Sequence, residues 1–336
     1  MLSIVLPVHN GEHTLCEAVD SVLAQSDSNW ELIIVDDNSV DNSLRMAEEY
    51  RKKDNRIRVV SNSVKLGPAA ARNRGIDIAK GDYIGFLDCD DTLHKDFVRR
   101  MTTTATAYDA DVVWCQYVSR SDKDDIGLSV GNEVKTNTIL DAKQAVELFF
   151  NDTLGIGSIC NKIYSYGILS SHGGFRLNPQ RVKAEDWEFN LFVFKTLERL
   201  VVLDDFLYNY YHRNPESIMS SFRKEDYALM WRSINLLETV NEEMNIGKSF
   251  RDIININANS IMEFIYQGIT KNMTCPELVG IFRQERFRNW LDNIDIKKFP
   301  LTYKLLARLL RMKLYRTVFI LFNVKAGCSI RHRLWA

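Results

Sequence analysis

Gly81-Asp82-Tyr83-Ile84-Gly85-Phe86-Leu87-Asp88-Cys89-Asp90-Asp91 is the stretch on which the reading of this chain turns. Its apolar run, Tyr83 to Leu87, has the length and composition of a short buried strand. The run stops at three carboxylates, Asp88, Asp90 and Asp91. On an extended backbone Asp88 and Asp90, two residues apart, would share one face. Crowded carboxylates repel one another and resist desolvation. A hard divalent cation relieves both problems. Oxygen-only ligands suit Mg²⁺ or Mn²⁺, which leave coordination sites for water and substrate phosphates. A polar strand-to-loop junction that binds nothing is the plainer alternative.

Toward the N-terminus the same logic repeats. Leu2 to Val8 is an apolar run broken by Pro7 and followed by the turn signal His9-Asn10-Gly11. Thr14 to Gln25 carries Leu15, Val19, Val22 and Leu23 at helical spacing. Leu32 to Val35 reads as a second strand that stops at Asp36-Asp37-Asn38-Ser39. A polar helix, Ser43 to Lys53, and a third strand, Ile57 to Ser61, follow. Gly67-Pro68 then turns into an Ala-rich helix that ends at Gly81. Strands alternating with helices predict a parallel sheet with helices on its faces. Ligands of such sheets bind beyond the carboxyl ends of the strands. Pro7 to Asn10, Asp36 to Ser39 and Asp88 to Asp91 all fall at that edge and define one site.

Four blocks carry a resemblance: Ser3-Ile4-Val5-Leu6-Pro7-Val8-His9-Asn10, Glu31-Leu32-Ile33-Ile34-Val35-Asp36-Asp37-Asn38-Ser39, Ala71-Arg72-Asn73-Arg74-Gly75 and Asp88-Cys89-Asp90-Asp91. In this order and spacing they resemble the inverting, nucleotide-sugar-dependent glycosyltransferases of family two, which have the GT-A fold. Asn161-Lys162-Ile163-Tyr164, Gly174-Phe175-Arg176 and Ala184-Glu185-Asp186-Trp187-Glu188-Phe189 look like that family's acceptor-side segments. Tyr208 to Ile218, with Tyr211-His212-Arg213 and Ser217-Ile218, looks like the segment that closes its catalytic domain. The resemblance therefore covers about residues 1–220. It implies a GT-A catalytic domain with a donor half, 1–110, and an acceptor half, 111–220. Residues 221–336 would form a helical extension.

The resemblance also implies roles. Pro7, Val8, His9 and Asn10, with Asp36 and Asp37, would form the nucleotide pocket. Asp37 would accept the uracil imide N–H, a donor that suits an acceptor-only carboxylate. Asp88 would meet the ribose or a metal-bound water, and with Asp90 would hold Mn²⁺ or Mg²⁺. His212 would reach back to the same metal; a packed or surface histidine is the alternative. Arg72 is a candidate for the diphosphate, where its fork matches phosphate geometry, or else a helix-surface arginine. Inverting transfer needs a carboxylate to take the acceptor's proton. The resemblance picks Asp186, beside Glu185, as that base. Trp187 to Leu197 has helical spacing, so Asp186 would lie near a helix N-terminus that favours its ionised form. Helix capping is a second use for Glu185 and Asp186, and Trp187 would either stack on a sugar or anchor the helix. Loops including Gly155 to Asn161 are expected to shape the sugar pocket.

Composition fits a globular enzyme: 336 residues and 46% hydrophobic content can bury a large core. Six scattered cysteines, Cys16, Cys89, Cys115, Cys160, Cys275 and Cys328, lack zinc-site or disulfide-framework spacing, which suits a reducing, cytoplasmic setting. Met1 leads straight into a core strand, without the pattern of a signal peptide. No apolar run reaches the length of a membrane span; the closest, Thr317 to Val324, is eight residues long.

The net charge of −1 hides an asymmetry. Residues 297–336 hold Lys297, Lys298, Lys304, Arg308, Arg311, Lys313, Arg316, Lys325, Arg331 and Arg333 and no acidic residue, so they carry +10 and the rest carries −11. Leu301, Leu305, Leu306, Leu309, Leu310, Leu314 and Phe319 lie near one helical face opposite these cations. That is the pattern of a helix lying on an anionic membrane surface. Self-packing on the acidic catalytic domain and nucleic-acid binding are the rivals, and no nucleic-acid module is recognisable. Glu225 to Asp295 reads as helical. The expectation is a metal-dependent enzyme, peripheral on the cytoplasmic face of the cell membrane. It would move a sugar from a nucleotide donor, UDP first, to a hydroxyl of a growing, lipid-linked glycan. A catalytically inactive sugar-nucleotide-binding module of an assembly complex and a sugar nucleotidyltransferase are the alternatives. The latter lacks its Gly-rich, basic signature after the first strand.

Overall fold

Strand β1 (Leu2–Val8) is buried along its whole length, as is β2 (Trp30–Asp36). Continuous burial, without alternation, is what a parallel sheet covered on both faces requires. In this computed structural model, which describes residues 1–121, 124–129, 137–151, 155–181, 183–212, 226–256 and 258–325, the chain divides into two compact units, Met1–Ile218 and Met219–Ala336. The readings placed on Arg213, Ser217, Ile218, Cys328, Arg331 and Arg333 lie outside the described residues.

In the first unit β1, α1 (Leu15–Leu23), β2, α2 (Ser43–Lys53), β3 (Ile57–Ser61), α3 (Pro68–Ile78) and β4 (Tyr83–Phe86) alternate as the sequence predicts. There follow β5 (Thr92–Leu93), α4 (Phe97–Tyr108), β6 (Val112–Ser121), β7 (Asp124–Ser129), β8 (Thr138–Leu140), α5 (Ala142–Phe150), β9 (Lys162–Ser165), α6 (Tyr166–Ser170), α7 (Glu185–Phe194) and β10 (Leu200–Tyr211). The strands form one sheet in the order β3-β2-β1-β4-β9-β6-β10-β5, with β7 on β6 and β8 on β10. β1, β2, β3 and β4 run parallel, and β9 is antiparallel to both β4 and β6. Helix α3 lies close on β1: a Cβ at Gly75 would strike the Val5 side chain.

Pro7 does not break β1, contrary to the sequence reading. It pairs with Val35 in the parallel register with β2, whereas pairing with β4 spans only Leu2 to Val5. Successive residues of a strand offer their backbone groups to alternate neighbours. Val5 faces β4, where its carbonyl takes the Leu87 N–H at 3.0 Å, so Pro7 faces the same way. At that level β4 has ended, and no ladder bond is lost.

The second unit is helical: α8 (Asp226–Glu243), α9 (Phe250–Ile256), α10 (Ala258–Gln267), α11 (Cys275–Arg283), α12 (Glu285–Asn293), α13 (Leu301–Arg311) and α14 (Tyr315–Lys325). Its core includes Trp231, Phe264, Phe282, Phe287 and Trp290. The tail corrects the expectation of one amphipathic face. Lys313, in the left-handed region at φ 59°, separates α13 from α14. Leu306, Leu310 and Phe319 are buried, while Leu301, Leu305 and Leu314 are exposed. Among the described residues no helix is long and apolar enough to cross a membrane.

Candidate active site

At the carboxyl edge of the sheet the loops after β1 and β2 interlock. His9 Nδ1 donates to the Asp37 carbonyl at 2.9 Å, the Asn10 N–H to Ser39 Oγ at 3.0 Å and the Val40 N–H to Asn10 Oδ1 at 2.9 Å. Asn10 and Asn38 supply the left-handed backbone these turns need (φ 54° and 60°), which asparagine tolerates. Asp37 is buried and accepts from Asn62 Nδ2 (2.8 Å), the Leu66 N–H (2.9 Å) and the Gly67 N–H (2.7 Å). Three of a carboxylate's roughly four acceptor positions are thereby used within the protein. Asp37 thus ties down the loop after β3. The unpartnered oxygen is next door: Asp36 Oδ1 is buried without a hydrogen-bond partner, while its Oδ2 takes the Ser39 N–H at 3.3 Å. A buried bare carboxylate oxygen at a ligand edge is a place for a ligand's N–H.

The acidic block is a turn rather than an extended segment. The Asp91 N–H bonds the Asp88 carbonyl at 3.1 Å, so strand alternation does not set the faces of Asp88 and Asp90. Asp91, which sequence alone left without a separate role, is buried and accepts from Tyr208 Oη (2.6 Å) and the Tyr211 N–H (2.9 Å). Burial, then the charges of Asp88 and Asp90, holds its carboxyl well above the ordinary range. Burial and the same two neighbours push the Cys89 thiol up to about 12. Negative field therefore accumulates at this turn, and its donors are carboxylate oxygens. Among the described residues no three His, Cys, Asp or Glu side chains converge as a closed metal cage. The turn fits a hard cation taking one or two protein carboxylates and its remaining ligands from elsewhere. His212 is exposed, bonded through Nε2 to Ser119 Oγ at 2.6 Å and edge-on to Tyr210, as a surface histidine would be.

Arg72 is not the helix-surface arginine of the two readings. It is buried in α3, donating to Asp88 Oδ1 at 2.7 Å and to Glu185 Oε1 at 3.2 Å. One guanidinium thus joins the acidic turn to the start of α7, 113 residues later in the chain. Asp88 Oδ2 also accepts from the Cys160 thiol at 3.3 Å.

The start of α7 is shaped from behind. Ala184, before Glu185, sits in the left-handed region at φ 58° and caps the helix with no side-chain bond. Arg181 donates to the Ala184 carbonyl at 3.1 Å and pairs with Glu188 at 2.7 Å, both side chains nearly inaccessible (1% and 5% exposed). Glu185 and Asp186 therefore enter the site on a fixed backbone instead of serving as caps. Burial, then the adjacent Asp186 charge, lifts Glu185 to about 7 against the pull of Arg72. Burial likewise raises Asp186, again against Arg72. The net direction is upward, opposite to the one a helix N-terminus favours. Asp186 Oδ1 accepts the Trp187 N–H at 2.8 Å. Trp187 packs edge-on against Phe149 at 5.4 Å, the anchoring option of the two foreseen.

The sequence reading missed the supports: Arg181, Glu188, Cys160, Tyr208 and the buried Lys162 and Asn190. Asn190 alone gave a clear signal, as a polar residue in the otherwise apolar run Phe189 to Phe194.

The family model for glycosyl transferase family 2 matches residues 3–169. An uncharacterized glycosyltransferase of Haemophilus influenzae is 32% identical over 241 residues, covering 62% of this chain and 93% of that protein. The Escherichia coli UDP-Glc:alpha-D-GlcNAc-diphosphoundecaprenol beta-1,3-glucosyltransferase WfgD is 42% identical over 91 residues, 27% of this chain and 35% of that protein. The chain spans only 62% and 41% of two further relatives, from Bacillus subtilis and Streptococcus pneumoniae. S. aureus TarS 1–349, crystallised with UDP-GlcNAc, superposes with a TM-score of 0.66 at 20% identity, covering 98% of this chain and 92% of that one. The fold is GT-A, and the chain belongs to glycosyl transferase family 2.

Proposed function

We propose that the protein is an inverting glycosyltransferase that moves a sugar from a UDP donor to a hydroxyl of a growing, lipid-linked glycan. The observation that carries this is the Arg72 bridge, which draws Asp88 of the donor side and Glu185-Asp186 of the acceptor side to one point. The UDP-sugar of the TarS complex and the donor and acceptor in WfgD's name support the choice of substrate classes.

Pro7, Val8, His9 and Asn10 would line the nucleotide, with the bare Asp36 Oδ1, and not the thrice-bonded Asp37, receiving the base N–H. Asp90 with Asp88 would hold Mn²⁺ or Mg²⁺, which when bound neutralises charge on the departing diphosphate. Asp186 would take the proton of the acceptor hydroxyl as its oxygen attacks the anomeric carbon. The new C–O bond forms as the bond to the diphosphate breaks, the nucleotide leaves with that electron pair, and configuration inverts. Glu185, paired with Arg72, would keep Asp186 in place. A neutral Asp186 is useless as a base, so transfer should rise with pH as this raised carboxyl ionises.

The exposed apolar side chains of the second unit, Leu301 (82%), Leu305, Met312 (66%) and Leu314, share their surface with exposed Arg308 and Lys313. This supports a role as an anionic-lipid contact, which would place the enzyme on the inner face of the cell membrane.

The first test is donor hydrolysis across UDP-, GDP-, CMP- and dTDP-sugars, with Mn²⁺ and with EDTA. Metal-dependent release of UDP from one sugar donor is expected. Asp186→Ala should lower turnover on the order of 10²–10⁴-fold with UDP affinity retained; wild-type turnover would remove Asp186 as base. Leu301→Asp/Met312→Asp should abolish flotation with anionic liposomes without altering hydrolysis.

A further inference from the structure

Lys162, at the start of β9, is completely buried. Its ammonium donates to the carbonyls of Gly155 (2.8 Å) and Ser158 (2.5 Å) and to Asn161 Oδ1 (3.1 Å), and lies 4.5 Å from the centre of the Trp114 ring. A charge taken out of water is costly unless every donor is satisfied, and here three acceptors meet three N–H groups. Asn190, buried in α7, works beside it. Its Nδ2 donates to the carbonyls of Ile156 (3.1 Å), Gly157 (2.8 Å) and Ser158 (3.1 Å), and its Oδ1 accepts from Tyr164 Oη at 2.6 Å. All four carbonyls from Gly155 to Ser158 are therefore drawn toward two buried side chains.

In a planar trans peptide the C=O of one residue and the N–H of the next point opposite ways. With the carbonyls drawn toward Lys162 and Asn190, the N–H groups of residues 156, 157 and 159 turn away from those two side chains. Ser158 spends its own on the Gly155 carbonyl at 3.2 Å. Those of Ile156, Gly157 and Ile159 have no partner among the described residues. The segment also touches both halves of the site. A Cβ on Gly157 would come within 3.1 Å of Trp187, the residue after Asp186, and Cys160 bonds Asp88.

We infer that Lys162 and Asn190 are positioning residues for sugar transfer: they hold the Gly155–Ser158 backbone with its amides turned away from them, as the wall that meets the donor's sugar hydroxyls. This rests on the glycosyltransferase reading. Neither side chain touches substrate. Each acts through the loop, so it governs which sugar is processed and how fast, and leaves nucleotide affinity alone. Burial draws the Lys162 ammonium down to about 7, yet only the charged form has three protons for its three acceptors.

The test uses the full chain carrying Lys162→Met or Asn190→Ala. UDP affinity is measured by calorimetry, and kcat and KM are measured separately for hydrolysis of UDP-glucose, UDP-galactose and UDP-N-acetylglucosamine. UDP affinity within about threefold of wild type, kcat lowered at least about tenfold and a collapsed preference among the sugars are expected. A folded variant with wild-type kcat and sugar preference overturns the inference, as does a loss carried entirely by weaker UDP binding. If Lys162→Met does not fold, Asn190→Ala, which strips no charge, decides alone. Should the unmodified chain release no sugar from any donor, the enzyme reading itself fails and takes this inference with it.

Discussion

The two halves of the site are held in different ways. On the donor side, Pro7 to Asn10 and Asp36 to Ser39 emerge from the ends of paired parallel strands, and short bonds between the two loops finish the job. On the acceptor side no strand end points Glu185 and Asp186 at the site. A left-handed Ala184, a buried Arg181–Glu188 pair, and Lys162 with Asn190 under the neighbouring loop do so instead. Where regular structure presents a residue, its supports can be exposed and individually weak. Where it does not, the supports are buried, polar and mutually dependent.

The comparison breaks first at Arg181. Arg181→Leu removes the buried cation that pairs with the Glu188 carboxylate, at a cost of about 3–5 kcal/mol. Arg181→Leu/Glu188→Leu removes both charges and should cost clearly less. Urea denaturation of both variants gives the difference, and an Arg181→Leu protein within about 1 kcal/mol of wild type would mean the acceptor side is not held by this pair.

Glu185 sharpens it through pH. Its folded-state pKa of about 7 lies above the unfolded carboxylate value of 4.5, so between those limits the folded protein binds a proton that the unfolded chain releases. The stability this group contributes is complete below pH 4.5 and is lost as pH rises toward 7. Glu185→Gln should therefore flatten the fall in stability across that window. Parallel slopes for the two proteins would show that Glu185 does not titrate this way.

The smallest effect belongs to the donor side. Ser39→Ala removes the acceptor of the Asn10 N–H from a solvent-exposed pair, so a loss of about 0.5–1.5 kcal/mol or less is expected. A loss as large as that of Arg181→Leu would erase the distinction between the two sides.

The same contrast explains what could be read in advance. Strand-helix alternation from Leu2 to Phe86 was legible because apolar runs bounded by turn residues report burial directly. The convergence of three polar clusters followed from the rule for parallel sheets. Local geometry beyond the strand ends was not legible: Asp88 to Asp91 looked extended and is a turn. Arg72 read as a phosphate ligand or a surface arginine; its burial and its bridge to Glu185 were not legible, because nothing local announces a partner 113 residues away. Lys162 stood in plain view within Asn161-Lys162-Ile163-Tyr164, yet a lysine reads as surface until its acceptors are seen. In the tail, spacing identified the apolar side chains but neither the break at Lys313 nor which of them are buried.

Pro7 has one more effect. A strand lengthens beside its neighbour only while that neighbour keeps offering both an N–H and a C=O, and at Pro7 the N–H is missing on the side of β4. The ladder there runs out of rungs one step after Leu87, and the chain is turned loose from the sheet. The residues turned loose are Asp88 to Asp91. The proline ring of one strand thus sits at the level where the adjacent strand lets go and the acidic turn begins.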